Sequence, residues 1–600
     1  MTALIRRLRR RRAGGAGVEK HGYKLLLKDS VIYGGGRALI KLLHALLLPL
    51  YSFYLTPEDY GLLGIVLTTA TLIDVFVTLG FDVAFTRFYF DEKSEANHRR
   101  VITNVFYVKF LWGGLLLGAL ALAMPEVAEL VTGDRSDAIY FDIALINIFF
   151  TNWSDLPYTL FRLDHRPVTF SFFTVGRVLV QVPVTVALVV WADMGPMGVL
   201  VGNAIAAFVL NTLALPTYWK RLDWRPVWGH MWEMIQFAAP AIFTTLSFYL
   251  LKLSDRFFFI RYRSQAELGL YTVAVSLSQP VYLVMMAFRM AWPQWHYAKL
   301  KDTVEHKRLV ARSSTYFLAF CLFMVTAMGV FMPLLVRVLL TKPAYWSVGP
   351  TTLVLAFSTA AYSAYFVFWV GSNVAKKNQL IPVIAAISGG INVGLNFWVI
   401  PAYGMFGAAC TTLLGYALLA LMVYFISEHY YPIRYEWARL IKLVAATAVA
   451  LGAALGIDLL IGGGPQQAFG DMLWKQAVVA PTLALFPLTL WLTGFFTAGE
   501  RARLAARRLP FRRRRPAPTV VGGERQVGGE PLTSGLPTGD GRVAAGAPRV
   551  GGGSGEATLG RREDGGDAAA AAAEEEAEER EEEELEEELE TDMPSGGGIV

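Results

Sequence analysis

Apolar stretches of about twenty residues recur along the whole chain, and a helix needs about that many to cross a hydrocarbon core roughly 30 Å thick. Spans are expected near 31–55, 61–80, 101–124, 139–161, 168–191, 196–217, 231–260, 268–292, 314–340, 348–372, 380–400, 404–426, 438–461 and 474–497. The chain therefore reads as an all-α polytopic membrane protein of about fourteen transmembrane helices. Composition agrees: charged residues are 17% of the sequence, against roughly a quarter in soluble domains. The two cysteines, Cys321 and Cys410, sit inside apolar stretches, so neither a disulfide framework nor a thiolate metal site is expected. No cofactor is expected either.

The loops set the topology. With a cytoplasmic N-terminus, the six loops falling inside carry seventeen Lys and Arg residues, and the seven outside carry four. The positive-inside rule predicts that imbalance when the spans are counted correctly. Both termini are expected in the cytoplasm. Residues 1–25 hold an Arg-rich arm, Arg6 to Arg12, read as topological and not as a nucleic-acid site. Residues 498–600 read as a disordered tail, basic near Arg501–Arg515 and acidic from Glu574 to Glu590. The basic block suits anionic lipid headgroups.

An internal repeat divides the membrane part. Tyr54-Leu-Thr-Pro-Glu-Asp-Tyr-Gly61 is echoed by Tyr262-Arg-Ser-Gln-Ala-Glu-Leu-Gly269 at an offset of 208. Gly195-Pro-Met-Gly198 is echoed by Gly404-Met-Phe-Gly407 at 209. These offsets imply two six-helix lobes of parallel orientation, residues 26–225 and 226–430, around a central cleft, with two further helices over 431–497.

Ionisable residues inside spans cost about 2.5–3.5 kcal/mol each on insertion scales and normally face a cavity. Arg37, Lys41 and His44 fall on one face of the first span. Lys252 stands at the repeat position of His44, with Arg256 one turn on and Arg289 and Arg177 extending the set. Asp255 can pair with Arg256. Cations in excess of carboxylates suit a ligand that brings its own negative charge, such as a pyrophosphate. Asp74 and Asp255 are candidates for coupling transport to H+ or Na+, or for helix–helix hydrogen bonding. Short outside loops and the lack of a Walker motif leave little room for an enzyme site.

Leu55-Thr-Pro-Glu-Asp-Tyr-Gly61, Asp255-Arg256, Gly269-Leu-Tyr-Thr-Val-Ala and Pro401-Ala-Tyr-Gly404-Met-Phe-Gly407-Ala-Ala together resemble the polysaccharide biosynthesis (Wzx-type) flippases. That family belongs to the multidrug/oligosaccharidyl-lipid/polysaccharide exporter superfamily. The resemblance implies alternating access and an undecaprenyl-pyrophosphate-linked oligosaccharide as cargo. It also implies a bacterial inner membrane and partners among polysaccharide polymerases or glycosyltransferases. A lipid II flippase, an ion-coupled multidrug exporter and a non-transport membrane scaffold are the alternatives.

Overall fold

The computed structural model describes residues 47–92, 94–297, 303–462, 469–497 and 500–501, and no strand occurs among them. The arm, the tail beyond Arg501, and Arg37, Lys41 and His44 lie outside the described residues. In chain order the first helices are α1 (Leu48–Tyr54), α2 (Pro57–Thr78), α3 (Phe81–Tyr89), α4 (Glu95–Tyr107), α5 (Gly113–Leu122), α6 (Met124–Thr132), α7 (Ala138–Leu163), α8 (Pro167–Val186) and α9 (Gly195–Trp219). The second half holds α10 (Trp228–Leu253), α11 (Asp255–Tyr262), α12 (Gln265–Leu277), α13 (Gln279–Tyr297), α14 (Thr303–Val330), α15 (Met332–Leu339), α16 (Gly349–Val374) and α17 (Ile381–Tyr430). After these come α18 (Trp437–Ile461), α19 (Phe469–Val479) and α20 (Leu485–Leu492).

Among the described residues ten helices are long and apolar enough to cross a membrane, or eleven if the bent pair α12–α13 is one span. The count of fourteen is thus not confirmed. The first expected span lies mostly outside the described residues, and α7 carries Asp142, Asp155 and Arg162 within its 26 residues. The 50-residue α17 is one of the ten, yet it doubles back at Gly404, whose backbone sits at φ 55° and ψ −137°. Contacts there join residues about equally far from the turn: Thr411 donates to Asn396 Oδ1 at 2.5 Å, and Ser388 approaches Met422 Sδ at 3.8 Å. Such pairing is that of an antiparallel helical hairpin.

The sequence repeat reappears as matched local structure. Thr56 caps α2, accepting from the Asp59 N–H at 3.2 Å, while the Thr56 N–H donates to Asp59 Oδ2 at 2.8 Å. Ser264, 208 residues on, caps α12 through the Glu267 N–H at 3.2 Å. Gly195 and Gly404 both take a left-handed backbone, φ 52° and 55°, where a side chain would be strained.

The two cap-bearing helices meet. A Cβ added to Gly61 would lie 1.9 Å from the Gln265 carbonyl oxygen, and one added to Gly269 would lie 1.8 Å from the Pro57 carbonyl oxygen. Gln265 is the repeat mate of Pro57, as Gly269 is of Gly61. The contact is therefore two-fold symmetric, and Gly64 meets its own mate, Thr272, across the axis at 2.5 Å from the same construction. Only glycine lets backbones approach so closely.

Helix α10 packs into both halves. Met231, Met234 and Ala238 join Phe81, Phe85 and Val101 in one apolar cluster, whereas Leu251 belongs to the larger cluster around Phe259 and Tyr271. Pro240 lies between them, a residue that weakens the helix ladder where the two attachments divide. At the other end of the C-terminal half, Glu500 ties helices together. It pairs with Arg312 of α14 and with Arg439 Nη2 of α18 at 2.7 Å, and accepts from the Thr497 N–H at 2.8 Å. Burial alone would raise the Glu500 carboxyl, but hydrogen bonds from Tyr316, Thr497 and Arg312 outweigh it and hold the group well below the usual carboxylate range.

Candidate functional site

Two clusters of ionisable groups among the described helices, one in each half, contain residues singled out from the sequence. In the N-terminal half the centre is Lys109, only 5% exposed. It lies in a five-residue π-helical segment, Val108–Trp112, between α4 and α5; such insertions re-aim side chains and concentrate at functional sites. Its Nζ lies 3.3 Å from Asp82 Oδ1 and 3.6 Å from Asp155 Oδ2, and donates to Asn152 Oδ1 at 3.0 Å. Asp74 of α2 is within electrostatic reach of Lys109, Asp82 and Asp155. Arg177 of α8 borders the group, donating to Thr151 Oγ1 at 3.0 Å and facing Asp155 and Tyr158.

Three carboxylates thus share one buried ammonium and one guanidinium. A buried charge needs partners because its desolvation costs several kcal/mol, and here every charge has one. Phe106, Phe110, Phe149, Trp153 and Leu156 line a small pocket together with Lys109. With all groups ionised, the carboxylates of this network outnumber its cations by one.

In the C-terminal half, Asp255 and Arg256 begin α11, both buried. Arg256 Nη1 donates to Asp255 Oδ1 at 2.9 Å and to the Lys252 carbonyl at 3.0 Å, and its guanidinium lies 5.8 Å from the Tyr271 ring centre. The Tyr271 hydroxyl donates to the other carboxylate oxygen. That pair is closed on itself. The Lys252 side chain is exposed on α10. Arg289, at the far end of the bent α12–α13 span, is also exposed. It stands 5.3 Å from the Phe366 ring centre and within electrostatic reach of Tyr362 and Tyr365. No carboxylate pairs with it among the described residues.

The structure therefore brings Asp74 and Arg177 into one network and Asp255 and Arg256 into another, with Lys252 joined to the second through its backbone. Arg289 stands apart among aromatic rings. Lys109, the hub of the first network, is absent from the sequence-based set. It was legible as a lone lysine between Val105 and Leu122, an otherwise apolar stretch.

The helix order, the Gly61–Gly269 closure and the charged interior define a class: a multi-pass membrane protein with the fold of flippases and multidrug exporters. Over 76% of its length, and 98% of the other, the chain is similar to lipid II flippase MurJ in an inward closed conformation, with TM-score 0.61 and 13% identity. A multidrug resistance MATE family transporter in an inward-facing conformation is similar over 65% of this chain and 97% of that one, with TM-score 0.53 and 10% identity. Over residues 26–293 the chain matches the family model described as polysaccharide biosynthesis protein. Two proteins of Haemophilus influenzae are similar in sequence. The Lsg locus protein 1 is 26% identical over 48% of this chain and 69% of its own length. A membrane protein described as uncharacterized is 22% identical over 46% and 66%.

Proposed function

We propose that the protein is a flippase that carries a lipid-linked, pyrophosphate-bearing oligosaccharide across a bacterial inner membrane by alternating access, with no enzymatic step. The observation that carries this reading is Arg289, an exposed guanidinium at the end of a broken membrane span with no carboxylate partner among the described residues. A cation so placed recruits an anion, and phosphate oxygens accept its planar donors in pairs. Lys252 adds a second exposed cation, and Arg37, Lys41 and His44 would extend the set from the first span. A polysaccharide family supports sugar on the cargo, and the likeness to a lipid II flippase supports a lipid pyrophosphate. Lipid II itself is the second reading.

The Gly61–Gly269 contact lies at the end where α2 and α12 begin, which the loop charges place outside. Closed there, the cleft would face the cytoplasm, where lipid-linked sugars are built. Opening that end and closing the other would carry the headgroup across.

Proteoliposomes test this. A fluorescent undecaprenyl-pyrophosphate-linked saccharide should move from one leaflet to the other only when the protein is present, and Lys41→Gln with Lys252→Gln should abolish the movement without loss of insertion. Normal movement in the double variant would overturn the cationic-cleft reading.

A further inference from the structure

We infer that the C-terminal half holds a separate glycan subsite made of tyrosine, next to but chemically distinct from the cations that would grip phosphate. The inference rests on the cargo reading above and deepens it. Tyr249 on α10, Tyr282 on α13, Tyr362 and Tyr365 on α16 and Tyr416 on α17 converge from four helices. Tyr362 stacks on Tyr365 with centroids 5.4 Å apart and meets Tyr416 at 5.0 Å. Tyr282 is an electrostatic neighbour of Tyr249, Tyr362 and Tyr416.

Packing alone does not explain these residues. Tyr365 is buried and the other four rings are half-buried; none of the five hydroxyls donates to or accepts from another described residue, and none is among the buried unpaired side-chain atoms, so they are open to solvent or to a ligand. The neighbouring Tyr271 shows the contrast, its hydroxyl being held by Asp255. Five rings with uncommitted hydroxyls form a surface that is apolar on its faces and polar at its rims. A sugar has the complementary character, with C–H groups on its faces and hydroxyls around its edge, so the electron-rich ring face meets C–H and the phenols meet hydroxyls.

Placement supports the same assignment. Tyr282 lies just past the 44° bend between α12 and α13, and interrupted helices in membranes mark where a cavity replaces lipid. Arg289 is seven residues on, two helical turns along the same face. A headgroup whose phosphate lies at Arg289 would therefore have its first sugars against Tyr282 and Tyr362. Tyr249 is also within electrostatic reach of Asp74, so this surface extends toward the N-terminal half. The guanidinium beside the rings disfavours the other ligand that aromatic cages take, an organic cation.

Full-length protein in detergent decides it, using two probes: undecaprenyl pyrophosphate, and the same lipid carrying one N-acetylglucosamine. Microscale thermophoresis should show the glycosylated lipid binding about fivefold more tightly to the unmodified protein, the gain typical of one or two ring contacts. Tyr282→Leu and Tyr362→Leu should remove that preference and leave affinity for the bare lipid unchanged. If the leucine variants do not fold, Tyr282→Phe and Tyr362→Phe serve instead, and each should lose part of the preference. Equal affinity of the unmodified protein for both lipids, equal weakening of both by the leucine variants, or an undiminished preference in the phenylalanine variants would overturn the glycan subsite alone. Failure of either lipid to bind would overturn the cargo reading instead.

Discussion

The two halves of this protein start from the same pattern and fill it with opposite chemistry. At the repeat offset of 208, Asp74 corresponds to Tyr282, and Lys109 corresponds to Phe317. The N-terminal half surrounds a buried lysine with carboxylates; the C-terminal half sets phenols around an arginine. Under the proposed transport function, shared backbone geometry with divergent side chains would let the scaffold move symmetrically while the contacts to an asymmetric cargo differ. One half is electrostatic and the other largely aromatic.

The sharpest way to break that comparison is to remove its hub. Lys109→Met leaves the partly exposed Asp82 and Asp155 without their buried partner and should destabilise the protein by about 2–3 kcal/mol, seen as a lower unfolding temperature in detergent. Adding Asp155→Asn should restore much of the loss. If Lys109→Met is as stable as the unmodified protein, the network is not what holds the N-terminal half.

Gly61→Leu and Gly269→Leu test the symmetric part. Overpacking costs roughly 1–3 kcal/mol, and both variants should impair closure of the same end and slow lipid movement alike. The readout is labelling of a cysteine placed at Thr272 by a membrane-impermeant thiol reagent, which should rise in Gly61→Leu. A defect in one variant and none in its mate would show that the two-fold contact is geometric only.

Smaller effects separate the halves from their attachments. Glu500→Gln should cost about 1 kcal/mol at neutral pH. Because the Glu500 carboxyl titrates below its unfolded value, its contribution is complete above roughly pH 4–5 and fades as pH falls through the depressed value. Denaturation curves of variant and unmodified protein should therefore converge in acid, and a gap that widens there would refute the clamp. Smallest of all, truncation after Arg515 should leave lipid movement unchanged, since the removed composition cannot bury a core; loss of movement at normal insertion would give the acidic run a mechanistic role.

Much of the architecture was legible because its signals are local and repeated. Thr56 and Ser264 announce helix starts, and the glycines five residues after each mark the closest approach. The candidate site was only partly legible. Lone charges such as Asp74 and Arg177 stand out in apolar runs, but which of them share a partner depends on helix rotation, and the π-helical segment at Val108–Trp112 shifts that rotation without a composition cue. Asp255 and Arg256 were readable as a pair because they are neighbours in the chain. The tyrosines were not readable as a group, since residues from four helices separated by up to 167 positions share no spacing.

The contact of Gly64 with its own mate Thr272 has a bearing on how such a protein could diversify. Between two separate identical subunits, a contact of this kind would be an isologous dimer interface, and every substitution in the gene would be felt twice. Once both copies lie in one polypeptide, each position mutates alone. A change from carboxylate to phenol at the position shared by residues 74 and 282 then alters one wall of the cleft and leaves the other untouched. Fusion of the copies frees the walls to specialise while the glycine seam keeps them in register.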